Sequence, residues 1–128
     1  MQTKNNPLSP HLQIYKWHIS SLLSITHRIV GVINILAITL ICFWILSLLL
    51  GEDSYDIIKI FLKSFFGKFI IISLCWTFSF HILNEVRHLM WDAGYGFDLK
   101  VAKITGVLVF FGSFIFAILF YTIGKNIL

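Results

Sequence analysis

Residues 29–51, I-V-G-V-I-N-I-L-A-I-T-L-I-C-F-W-I-L-S-L-L-L-G, run for 23 positions without a charge, bounded by Arg28 and Glu52. A helix of about 20 apolar residues crosses the hydrocarbon core of a bilayer, so this stretch is long enough to span one. Residues 104–124 form a second uncharged run, of 21 positions. Between them, Phe69 to Asn84 gives only 16 uncharged residues, but extension back to Phe65 gives 20 and places Lys68 one turn inside the end. There its aliphatic stem can lie along the apolar zone while the ammonium reaches the interface. Three transmembrane helices are expected, at about 29–50, 65–84 and 104–124, because lipid admits only helices and closed barrels and the alternation of a barrel strand is absent.

The rest of the composition agrees. Of 128 residues, 58% are hydrophobic and 12% charged, against roughly 45–50% and about 25% in soluble domains. A soluble enzyme is excluded, and so is a disordered chain, which needs low hydrophobicity. The formal charge of +4 is better read as membrane topology than as a nucleic-acid surface. Cys42 and Cys75 lie in separate apolar runs and form no CxxC or CxxCH pattern, so they point to no disulfide framework, zinc site or covalent haem. No internal repeat or linker divides residues 1–128, which read as one all-α membrane unit.

Lysine and arginine set the orientation. Lys4, Lys16, Arg28, Arg87, Lys100 and Lys103 fall on one side, and Lys59, Lys63, Lys68 and Lys125 on the other. The N-terminus and second loop are therefore expected on the cytoplasmic or matrix side. Tyr15, Trp17, Tyr55, Trp91, Tyr95 and Tyr121 stand near span ends, as interfacial belts require. Pro7 and Pro10 delay helix formation to about Leu12. From there to Arg28 an amphipathic, interface-level helix is expected to feed the first span. The start has neither the order of a secretory signal nor the arginines of a mitochondrial presequence, which favours a bacterial inner membrane, although an organelle-encoded chain would look the same. Glu52, Asp53 and Asp56 read as a solvated outer loop.

Polar groups within spans are costly and mark candidate sites. His81 lies about one turn from the inner end of the second span. Two readings stand: a packing histidine bonded to a neighbouring helix, or an axial ligand to haem iron. His88, seven residues on, returns to the same face, since two turns take about 7.2 residues. With Arg87 it puts cationic and hydrogen-bonding groups about 10 Å further along, the separation between a haem iron and its propionates. One deep histidine supplies one axial ligand, so a haem would need a partner subunit. Ahead of the first span, Ser24, His27 and Arg28 share a helix face at i, i+3 and i, i+4. They read either as an ordinary flank with a topology-setting arginine or as the polar mouth of a quinone site, the serine donating to a quinone oxygen and the arginine holding charge and water nearby.

Three blocks, S9-P-H-L-Q-I-Y15, S24-I-T-H-R-I-V-G31 and H81-I-L-N-E-V-R-H-L-M-W-D-A-G94, resemble the cytochrome b556 large membrane-anchor subunits of succinate dehydrogenase, respiratory complex II. They come in that family's order around three hydrophobic runs, so the resemblance covers essentially the whole chain. It implies that His81 ligates haem b, with the second axial histidine coming from a small membrane-anchor subunit. It further implies that His27, Arg28 and His88 lie around the propionates, that Ser24 and Arg28 line the ubiquinone pocket, and that Asp92 stands beside the quinone and haem edge. Electrons would arrive from an iron–sulfur subunit and reduce ubiquinone, the dicarboxylate chemistry belonging to a flavoprotein subunit, so the chain would not be catalytic alone. One position departs from the family's H-x-x-N-G-x-R-H pattern: Glu85 stands where glycine is usual. A carboxylate there would be repelled by propionates unless paired, and it is expected to turn toward Arg87 or a partner-chain cation.

Competing readings are a fumarate reductase-type anchor, a small transporter or channel subunit using His81 as a proton relay, and a purely structural assembly protein. A relay calls for further ionisable or helix-breaking residues near the bilayer midplane, and the first and third spans offer none. An assembly role leaves the His81, Arg87 and His88 register without a purpose. Phe110, Phe111, Phe114, Phe116 and Phe120 read as packing, and Gly106, Gly112 and Ala117 as close helix contacts.

Overall fold

The computed structural model describes residues 17–127, and among these every regular element is helical. Helix α1 spans Ile19–Leu50, α2 Glu52–Lys63, α3 Phe65–Asp92 and α4 Leu99–Ile127. Three of them, Ile19–Leu50, Phe65–Asp92 and Leu99–Lys125, are long and apolar enough to cross a membrane.

Helix α1 continues without a break through Arg28, for 32 residues. No proline interrupts it, and each additional turn satisfies backbone groups that lipid cannot. Residues 19–28 are thus continuous with the first long apolar helix, with no break that would set off an interfacial segment. The expected start of that interfacial helix at Leu12, Tyr15, Lys16 and the 9–15 block all lie outside the described residues.

A short amphipathic helix appears instead in the first loop. Gly51, at φ +112°, turns the chain directly from α1 into α2. On α2, Ile57, Ile58, Phe61 and Leu62 recur at helical spacing, with Asp56, Lys59 and Lys63 between them. The acidic residues expected to form an open loop therefore belong to a helix. Its end is stapled to the start of α3 through Ser64, whose hydroxyl donates to the Phe61 carbonyl at 2.6 Å and accepts from the Gly67 amide at 3.1 Å. A Cβ on Gly67 would collide with the Phe61 carbonyl oxygen and the Leu62 backbone, so only glycine lets α2 and α3 meet this closely.

At its other end α3 closes in a Schellman motif. The Tyr95 amide donates to the Met90 carbonyl at 2.9 Å and the Gly94 amide to Trp91 at 2.8 Å, with Gly94 at φ +86°. This turn sends α4 back along α3, its most extensive packing partner.

The bundle interior is small and partly polar. Leu23, Val30, Phe80 and Val109 form the buried apolar cluster, flanked by Ile19, Trp76 and Leu83. Asn34, Ser47, Thr77, Ser79, Asn84, Arg87 and Ser113 are buried with them, while the large apolar side chains, the third-span phenylalanines included, are mostly exposed on the outside. That distribution suits a lipid solvent, in which helices associate by close packing and polar contacts rather than by hiding apolar surface from water. Ser79 and Ser113 bond to carbonyls of their own helices, Cys75 and Phe110, at 2.7 Å each. Gly106 packs against α1 side chains: a Cβ there would stand 2.6 Å from Leu23 Cδ1. Gly112 lies against Leu83 in ordinary contact, and Ala117 is buried.

Candidate functional site

The first turns of α1 and the last turns of α3 meet side by side, and their histidines meet with them. The His27 and His81 rings stack at 4.4 Å between centroids with an interplanar angle of 11°. His88 stands 5.7 Å from His27, tilted by 48°, and meets the edge of Trp91 at 5.2 Å. The heptad separation of His81 and His88 on α3 aims both at the same stretch of α1, as the 3.6-residue repeat requires. Gly31, one turn beyond His27, lies against the His81 ring: a Cβ there would stand 3.7 Å from Cε1, an ordinary contact.

Glu85 completes the cluster. Its Oε1 is 3.0 Å from His27 Nε2 and 4.0 Å from His81 Nε2. The first contact falls short of an aligned hydrogen bond and is an ion pair when the imidazole is protonated. Glu85 thus bridges to α1 and not, as its neighbour in sequence led us to expect, to Arg87. The reason is helical geometry: Glu85 is one turn from His81 and shares its face, whereas Arg87 lies two residues further round. Arg87 turns inward toward α4, with 5% of its surface exposed. Its Nη2 donates to the Ala102 carbonyl at 2.9 Å and its Nε to the Thr105 hydroxyl at 3.2 Å, while Cζ lies 4.1 Å above the Trp91 ring. Trp91 is half-buried and donates its indole N–H to the Gly96 carbonyl at 3.2 Å.

The remaining candidates lie around this cluster rather than in it. Ser24 and Arg28 are exposed on the α1 turns that carry His27, and Asp92 is the exposed last residue of α3. Among the described residues, no hydrogen bond, ion pair or ring contact joins these three to the histidines. Asn84, which sequence reading passed over, is 1% exposed, and neither amide atom has a hydrogen-bond partner among the described residues. A polar residue three positions from His81 inside a span was the available signal. The His81 Nδ1 is likewise buried without a partner.

Chemically, the cluster offers imidazole nitrogens and one carboxylate at the end of a helical bundle, beside an exposed serine and arginine. Imidazole is the common donor to haem iron and to divalent metals, and the serine and arginine are suited to a carbonyl-bearing amphiphile.

Residues 2–120 match the family model described as Succinate dehydrogenase/Fumarate reductase transmembrane subunit. The chain is 36% identical over 115 residues, 90% of each sequence, to the succinate dehydrogenase cytochrome b556 subunit of Rickettsia felis. It is 32% identical to that of Paracoccus denitrificans, over 90% of this chain and 88% of the relative. The succinate dehydrogenase cytochrome b560 subunit of Reclinomonas americana is 39% identical over 127 residues, covering 93% of this chain and 86% of the relative. With an all-helical fold and three helices fit to cross a bilayer, the chain belongs to the family of succinate dehydrogenase/fumarate reductase transmembrane subunits.

Proposed function

We propose that this chain is the large membrane anchor of a succinate dehydrogenase, that His81 is an axial ligand of a haem b shared with a small anchor subunit, and that Ser24 and Arg28 line an adjoining ubiquinone site, with Asp92 at its edge. The observation that carries this reading is the meeting of His27, His81 and His88 from two helices at one end of the bundle, with Gly31 opposite the His81 ring. The residues present suit a haem in three respects. The His81 side chain keeps 34% of its surface open, so a macrocycle has access to it. Gly31 presents no side chain to the ring. His27 and His88 supply N–H groups that can hold propionates, as does Arg28, the next residue on α1. Glu85 lies near the His81 Nε2 edge, but with half its surface exposed it is free to swing outward when that nitrogen is engaged.

A bound haem would supply a one-electron store beside the quinone site. The work of this chain's own residues is binding and proton handling. Ubiquinone reduction takes up two electrons and two protons; the Ser24 hydroxyl donates a hydrogen bond to a quinone oxygen, and the Arg28 guanidinium holds charge and water at the site where protons enter. Succinate oxidation itself belongs to the flavoprotein subunit, which this chain tethers, through the iron–sulfur subunit, to a bacterial inner membrane with its N-terminus on the cytoplasmic side. The excess of lysine and arginine in the N-terminal segment and second loop supports that orientation.

The test is His81→Ala in the assembled complex. The reduced-minus-oxidised haem b spectrum is expected to vanish or shift severely; an unchanged spectrum would remove His81 from the iron.

A further inference from the structure

Glycine is usual at the position of Glu85 in the pattern this chain resembles, and the carboxylate has consequences beyond pairing with a histidine. His27, His81 and Glu85 each turn one donor atom into the same small volume, and the three donors lie within 4.8 Å of one another. Two of the separations are 3.0 and 4.0 Å. Donors bound to one zinc-like ion at about 2.0–2.2 Å stand roughly 3–3.5 Å apart, so rotations of the half-exposed Glu85 and His81 side chains bring the set to bonding distance.

We propose that the haem-free chain binds a divalent transition ion at His27, His81 and Glu85, in the manner of a two-histidine, one-carboxylate site with an open position for water. Imidazole selects such ions over magnesium or calcium, which take all-oxygen shells. Two neutral imidazoles and one carboxylate leave a dipositive ion with a single net charge, less costly to hold at the membrane boundary than the free ion. The exposed side of Glu85 gives it an entry path. The three ligands come from α1 and α3, so the ion would clamp the two helices before any haem is loaded. The proposal goes beyond the haem reading and meets it at one residue: because His81 serves both, metal and haem exclude each other.

The test uses the full chain, made without a polyhistidine tag and purified haem-free in detergent, titrated with Co²⁺ and followed by its visible ligand-field bands. One ion per chain is expected, displaceable by Zn²⁺. Glu85→Gln, nearly isosteric at a half-exposed position, should weaken binding by at least about tenfold, as should His27→Ala, with helicity checked by circular dichroism. Glu52→Gln, at the far end of α1, should bind as the parent does. Failure to saturate, or less than a tenfold loss in Glu85→Gln, overturns the site as an ion pair only. A haem-uptake arm separates this from the haem reading. Zn²⁺ loaded first should block haem binding, and haem uptake indifferent to Zn²⁺ overturns the shared site. If the chain takes up no haem in any condition, the haem reading fails while the Co²⁺ bands and their dependence on Glu85 still decide the metal site.

Discussion

The Glu85 carboxylate reaches across from α3 to within 3.0 Å of the His27 imidazole on α1, while His27 in turn stacks on His81 at 4.4 Å. One acidic side chain therefore fixes how two histidines from different helices face each other. With half its surface exposed, the carboxylate can also turn away from haem propionates.

Ser24→Ala and Arg28→Leu in the assembled complex should lower succinate-driven ubiquinone reduction while leaving succinate oxidation by an artificial acceptor intact. Loss of one hydrogen bond to a bound ligand costs on the order of 1 kcal/mol, so about a fivefold to tenfold fall is expected for the serine, and more for the charged residue. Parallel assays with the two acceptors check this. Equal loss of both activities would mean an assembly defect.

The chain expressed without its partners should fail to form a stable six-coordinate haem, because the second axial ligand is assigned to the small anchor subunit. Optical spectra of haem-reconstituted chain in detergent test this. A low-spin, six-coordinate spectrum would mean that His27, stacked on His81, supplies the second ligand itself.

Arg87→Met should destabilise the bundle. The substitution keeps the volume but removes two bonds made by a buried cation, to the Ala102 carbonyl and the Thr105 hydroxyl. Hydrogen bonds to charged groups contribute about 1.5–3 kcal/mol each, offset in part by the lost burden of a buried charge. A net loss of about 2 kcal/mol is expected from denaturation in mixed micelles. The His27–His81 cluster is made without Arg87, so haem content below the transition should persist.

Gly67→Ala and Gly106→Ala should differ although both add one methyl to a helix. At Gly67 the new carbon meets the backbone of Phe61 and Leu62, which cannot yield without separating α2 from α3. At Gly106 it meets the ends of the Leu23 and Ile19 side chains, which can rotate aside. Overpacking costs about 1–3 kcal/mol and alanine regains up to about 1 kcal/mol of helix propensity. Gly106→Ala should thus be near neutral and Gly67→Ala clearly destabilising, as read from thermal unfolding of the two variants.

Much of the architecture is legible along the chain because partition into lipid is a local property. Charge-free runs of sufficient length form helices whatever surrounds them, and the spacing of His81 and His88 puts both on one face before any partner is known. Elements that depend on amphipathy rather than on length were harder to read. The run after Gly51 carries acidic residues that pass for a loop, yet Ile57, Ile58, Phe61 and Leu62 make it a helix. Nor do charges mark where α1 begins, since helical hydrogen bonding runs straight through Arg28.

By itself, then, the order of amino acids determined the all-helical class, the three helices long and apolar enough to cross a membrane and the shared face of His81 and His88, since each follows from hydropathy and the 3.6-residue repeat. Tertiary structure alone decided which side chains those histidines meet. Glu85 and Arg87 stand two residues apart on one helix, and their partners depend on how that helix is rotated against its neighbours. That rotation is set by the packing of α3 against α1 and α4, segments far apart in sequence, where no local pattern carries the information. It turns the carboxylate toward His27 and the guanidinium toward Ala102 and Thr105.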